Sequence, residues 1–112
     1  MLPYRNYLLD FEWFLEDIED KTIIVFGAGK MFEYYMDHEG RKYPPEFVVD
    51  NNREKWGTEV RGIPVRPPDA VLEAGDNLRI LICSIYYREI SRQLRQMGID
   101  DYYIYVQRRE WL

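Results

Sequence analysis

Hydrophobic positions recur along this chain in two rhythms. Leu8, Phe11, Leu15 and Ile18 return at helical spacing, with Tyr4 and Phe14 beside them, which predicts an amphipathic helix over residues 4–18 closed off at Asp20. Thr22-Ile23-Ile24-Val25-Phe26 is instead an unbroken, β-branched apolar run, the mark of a strand covered on both faces. Gly27-Ala28-Gly29 follows it, and residues 30–39 predict a helix stopped by Gly40. Pro44-Pro45 marks a loop before a second strand over 47–50, and 51–57 is a polar loop in which Trp56 tucks against apolar surface. Residues 60–65 predict a short, kinked edge strand, where Pro64 is tolerable. Pro67-Pro68-Asp69 starts a short helix over 69–73 ahead of Gly75. A second strongly apolar strand covers 78–83. A helix over 86–97 places Ile90, Leu94 and Met97 on one face and ends at Gly98, and 102–106 forms a last strand.

This order is helix, strand–helix–strand, short strand with short helix, then strand–helix–strand. Such alternation predicts an α/β fold of Rossmann-like, three-layer form, a parallel sheet with helices on both faces joined by right-handed crossovers. Residues 1–20 read as the N-terminal helix and 21–112 as the Rossmann-like domain. The 112 residues fit one domain, and 46% hydrophobic content suffices for one core. A domain this small buries a modest share of its surface, which favours support from a partner chain.

The chemistry concentrates where the first buried strand runs into Gly27-Ala28-Gly29-Lys30. In a Gly-x-Gly turn the first glycine permits a tight bend and the second lets backbone approach a phosphate. The following helix start offers unpaired N–H groups. The dinucleotide fingerprint has a third glycine where this chain carries Phe32, so the fingerprint is incomplete. Asp50 stands 23 residues beyond Gly27, near the roughly 20 expected of a carboxylate that accepts from a ribose hydroxyl. A turn aspartate bonding its own backbone fits the position equally well. Asn51 and Asn52 supply further side-chain donors or favour the turn. Ser84 follows the fourth expected strand and would rim the same crevice, or cap a helix.

Other residues narrow the field. The net charge is −5, against the basic field of a nucleic-acid binder. Arg41-Lys42 and Arg108-Arg109 read as solvated pairs. The single cysteine, Cys83, excludes an intrachain disulfide and a structural zinc cluster, and reads as core. His38 reads as helix surface. No signal-peptide pattern opens the chain, and no apolar run approaches a membrane span. These features predict a cytoplasmic protein without membrane insertion or nucleic-acid binding. Met31 stands where a P-loop needs Ser or Thr, no Tyr precedes a Lys by four residues, and no His-Glu-x-x-His occurs. No catalytic residue and no metal ligand is therefore assigned. The ten tyrosines suit an interface, half-buried packing at core edges or, at Tyr86 or Tyr87, stacking on a ligand base.

Ile24-Val25-Phe26-Gly27-Ala28-Gly29-Lys30, Val49-Asp50-Asn51-Asn52, Lys55-Trp56-Gly57, Gly62-Ile63-Pro64-Val65 and Ile80-Leu81-Ile82-Cys83-Ser84 together resemble a known pattern. It is that of the small Rossmann-like nucleotide- or nucleotide-sugar-binding domains of bacterial surface-polysaccharide biosynthesis. These accompany sugar acyltransferases and polysaccharide-type dehydratases and epimerases. The resemblance implies about five parallel strands in the order 3-2-1-4-5. It also implies Gly27, Ala28 and Gly29 at the phosphates, Asp50 and Asn51 near ribose or base, and Ser84 at the far wall; Lys30, which opens the helix after the turn, is a further candidate binding residue. The ligand so implied is NAD(P) or a nucleotide sugar, bound without catalytic machinery of the chain's own, with a homodimer or a partner enzyme completing the assembly. The alternative is a degenerate Rossmann domain used for oligomerisation or protein assembly. A small methyltransferase or reductase is a third reading.

Overall fold

A computed structural model of the chain describes residues 5–6 and 21–105. Seven strands form one sheet: β1 (Arg5–Asn6), β2 (Thr22–Phe26), β3 (Phe47–Val49), β4 (Glu59–Val60), β5 (Ile63–Arg66), β6 (Leu78–Ile82) and β7 (Tyr102–Ile104). Their order is β1-β7-β6-β2-β3-β5-β4. All neighbours run parallel except β4 against β5. The fold is thus mixed α/β with a mostly parallel sheet. The expected count of five and the expected order are corrected by the strand added at each edge.

Both additions have local causes. Arg61 (φ 54°) and Gly62 (φ 80°) both adopt positive φ, the two-residue turn that matches strand twist in a hairpin. The expected single edge strand over 60–65 is therefore a β4–β5 hairpin. Pro64 lies inside the sheet, opposite Glu59. Since β4 is two residues long, one missing ladder donor costs little there. At the other edge, Arg5 and Asn6 pair with Tyr103 and Ile104, where a helix over 4–18 was expected. An open strand edge offers unpaired backbone groups that outweigh local periodicity. The remainder of that expected helix, and Val106 at the end of the expected last strand, lie outside the described residues.

Strand alternation sorts the core into two layers. Ile23, Val25, Val48, Leu81 and Tyr103 point to one face and pack with Phe32 and Tyr35, carried on helix α1 (Lys30–Tyr35). Ile24, Phe26, Val49, Ile80 and Ile82 point to the other and pack with Ala70, Val71, Ile90 and Leu94. The last two come from helix α2 (Tyr87–Gln96) and the first two from the 3₁₀ helix Pro68–Glu73. Each large aliphatic side chain buried this way contributes about 1.5–3 kcal/mol. The helix expected over 30–39 divides into α1 and a π-helical turn, Met36–Gly40.

Phe32 is fully buried against the sheet. It spaces α1 from the strands by an aromatic ring where a glycine would let backbones touch. Four of the tyrosines are buried more deeply than core-edge packing implies: Tyr35, Tyr102, Tyr103 and Tyr105 are among the largest fully buried side chains. Tyr35 meets Tyr105 edge-on with ring centroids 5.3 Å apart, and its hydroxyl donates to the Tyr43 carbonyl at 2.7 Å.

From β2 the chain moves outward to β3 and β5, then returns across the sheet to β6 and β7. This reversal leaves the carboxyl ends of β2 and β6 facing connections that diverge, which opens a crevice.

Candidate functional site

A cleft of about 670 Å³ occupies that crevice. Gly27, Ala28, Gly29 and Lys30 form its floor, Asp50 and Asn51 one wall and Ser84 the other. All seven residues singled out from the sequence therefore meet in one place.

The turn is built from the sheet upward. The Gly27 N–H donates to the Val49 carbonyl at 2.8 Å, and the Cys83 N–H to the Phe26 carbonyl at 2.8 Å, so both neighbouring strands hold the bend. Gly27 has φ +117°, and a Cβ on it would run into the Cys83 carbonyl oxygen; only glycine meets both conditions. Gly29 differs: a Cβ there has no atom within 4 Å, so that side of the turn faces open cleft. The Gly29 and Lys30 amides donate to no acceptor among the described residues. Because α1 is six residues long, these local amides matter more than a long helix dipole.

Asp50 takes the turn role open to it from sequence and adds a long-range bond to it. Its Oδ1 accepts the Asn52 N–H at 2.7 Å, the turn aspartate bonding its own loop. Its Oδ2 accepts the Ala28 N–H at 2.8 Å, which ties β3 to the glycine turn. Each carboxylate oxygen has a second lone pair for a ligand hydroxyl. Asn52 in turn accepts the Glu54 N–H at 3.0 Å and caps the 3₁₀ turn Arg53–Lys55. Trp56 donates Nε1–H to the Asp50 carbonyl at 2.6 Å. This loop carries Lys55 to the cleft, where Nζ donates to the Ala28 carbonyl at 3.1 Å.

The opposite wall is less polar. Ser84 Oγ accepts the Tyr86 N–H at 3.0 Å, a local turn bond ahead of α2 and not the helix cap open to it from sequence, since the N-cap of α2 is Tyr86 and takes no side-chain bond; the residue also lines the cleft. Beside it Ile85 and Tyr86 are 69% and 63% exposed, two large apolar groups at the cleft rim. Asn51 points along α2 and exchanges two hydrogen bonds with Gln93, at 2.9 and 3.0 Å. The cleft lining also holds a second carboxylate, Glu89, and two ammonium groups, Lys30 and Lys55. Cys83 is buried below the turn and its thiol is pushed up by burial, so the thiolate needed for a nucleophile is disfavoured. His38 stacks on Tyr34 at 3.8 Å and is exposed, as expected of helix surface. Among the described residues no group of His, Cys, Asp and Glu could hold a metal ion, and no helix is long and apolar enough to cross a membrane.

Sequence reasoning passed over Lys55, Ile85 and Glu89, which line the cleft, and Gln93, which holds Asn51. The signal for Lys55 was present in the Asp50-Asn51-Asn52 run, whose turn and cap chemistry determines where a residue three positions on is delivered. Nothing in the order of residues brings Gln93 to Asn51.

The C2185-like N-terminal family matches residues 19–105. The chain belongs to that family. No curated protein sequence matches it. Among solved structures this C2185-like domain is similar to RSP, a Rex-family repressor, at 17% identity and a TM-score of 0.58. The likeness covers 92% of this chain and 60% of the repressor, and it shows a shared fold.

Proposed function

We propose that this domain is a nucleotide-binding module, for NAD(P) or a sugar nucleotide of the UDP type, without catalytic machinery of its own. One observation carries the reading. Residues scattered from Gly27 to Ser84 converge on one crevice around a glycine turn whose Gly29 side is open. In this reading the free amides and Lys30 of the floor take phosphate, and Asp50 accepts from ribose. Ile85 and Tyr86 cover a base. A carboxylate at Asp50 favours a free 2′-hydroxyl over a 2′-phosphate, since like charges repel. The link to surface-polysaccharide or sugar-nucleotide metabolism, a cytoplasmic setting, and a second copy or partner enzyme that supplies the reaction belong to the same proposal.

Isothermal titration of the purified chain with NAD⁺, NADH, NADPH, UDP and UDP-sugars tests it. Saturable heat with at least one ligand, lost in Gly29→Asp, is the expected outcome. Absence of heat with all of them sinks the reading.

A further inference from the structure

The cation that the β3 loop delivers to the glycine turn has a geometry of its own. Lys55 is half-buried, and its Nζ is tethered to the Ala28 carbonyl at 3.1 Å. An ammonium has three donors, so two remain beyond this bond. Among the described residues no carboxylate lies within ion-pair distance of it, whereas Arg66 and Arg79 each have one and Arg61 has two. A tethered ammonium with no ion-paired carboxylate among the described residues, lining a cleft in a chain of net charge −5, is placed for an anion that those residues do not supply.

The peptide that holds Lys55 also says what kind of anion. No peptide bond in the described chain is cis, so the Ala28 carbonyl and the Gly29 N–H of one planar unit point in opposite directions. The cation stands on the β3 side of the turn and the free amide on the other. A single phosphate placed at one is turned away from the other. Two linked phosphates that straddle the turn meet both.

We propose that Lys55 reads the second phosphate, so that the cleft selects diphosphate-bearing nucleotides over monophosphates and free nucleosides. This rests on the nucleotide-binding reading above. The turn contributes the donors common to all phosphate ligands, and Lys55 contributes the difference between one phosphate and two.

The test is titration of the wild-type chain, Lys55→Met and Lys55→Arg with adenosine, AMP, ADP and NAD⁺, and with uridine, UMP and UDP, at low and at high salt. Thermal midpoints check that each variant is folded. The wild type should bind diphosphates more tightly than monophosphates by roughly tenfold to hundredfold, the range of a hydrogen bond to a charged group, with the margin shrinking as salt rises. Lys55→Met should lose that margin while keeping its affinity for monophosphates, and Lys55→Arg should keep most of it. A Lys55→Met chain that still prefers diphosphates by the wild-type ratio overturns the proposal while leaving the nucleotide reading intact. So does one that loses all ligands in equal proportion, which would make Lys55 a brace for the turn. A wild type that binds none of the probes overturns the nucleotide reading itself, and the role of Lys55 with it.

Discussion

Gly27 and Gly29 are two residues apart in one turn and answer to different demands. Gly27 faces the sheet. Its positive φ and the Cys83 carbonyl beneath it leave no place for a side chain, and its amide is bound to β3. Gly29 faces the cleft, with ordinary φ and nothing nearby for a side chain to meet. The first glycine is required by folding. The second is not, and its small size matters only for whatever enters the crevice. A repeated residue type in a motif thus need not carry a repeated reason.

The largest effect should come from the sheet side. Gly27→Ala combines backbone strain with overpacking and should cost on the order of 3 kcal/mol or more, read as a fall in the urea midpoint. A midpoint shift worth less than about 0.5 kcal/mol would erase the distinction between the glycines. Next in size is the brace between them and β3. Asp50→Ala removes the acceptor for two backbone amides and should cost about 2 kcal/mol. Asp50→Asn, which keeps one acceptor oxygen, should cost less.

Solution pH probes the packing under the turn. Burial is the leading cause that raises the Tyr35 and Tyr105 hydroxyls and the Cys83 thiol above their ordinary values. As pH climbs past about 8.5 for the thiol and about 10 for the phenols, the unfolded chain releases protons that the folded chain keeps. Stability from these groups is complete below those values and falls as pH rises beyond them. Urea midpoints at pH 7.5, 9 and 10.5 should decline in that order. A midpoint indifferent to pH above 10 would show that the tyrosine layer opens to solvent. The smallest effect on stability belongs to Gly29→Asp, within about 0.5 kcal/mol of wild type. The same variant should abolish nucleotide binding, and this pairing of intact fold with lost ligand separates the cleft side from the sheet side most sharply.

The buried strands were legible in the sequence because parallel sheets demand unbroken apolar runs, and β2 and β6 have them. The turn was legible because a strand, two glycines and a helix start stand in direct succession. The edges were not. A two-residue strand such as β1 or β4 carries no periodicity, and its existence depends on a neighbour with unpaired backbone groups. Phe32 was legible as a departure from a motif, but its effect, an aromatic spacer under α1, needed the sheet to be in place. The depth of Tyr35, Tyr102, Tyr103 and Tyr105 was not legible for a related reason. A phenol can be fully buried once a carbonyl such as that of Tyr43 is within reach, and that partner is set by packing.

By itself the sequence determined the α/β class, the alternating elements, the glycine turn and the presence of Asp50 at the end of the next strand. These follow from local rules, namely period, propensity and the φ that only glycine adopts freely. Tertiary structure decided which glycine serves the fold and which the cleft. It also decided that Asp50 bonds Ala28 as well as its own loop, and that Lys55 is tethered to the turn with no carboxylate paired to it among the described residues. Each of these depends on atoms more than twenty residues apart in sequence meeting within hydrogen-bond distance, and only the register of the assembled strands specifies that.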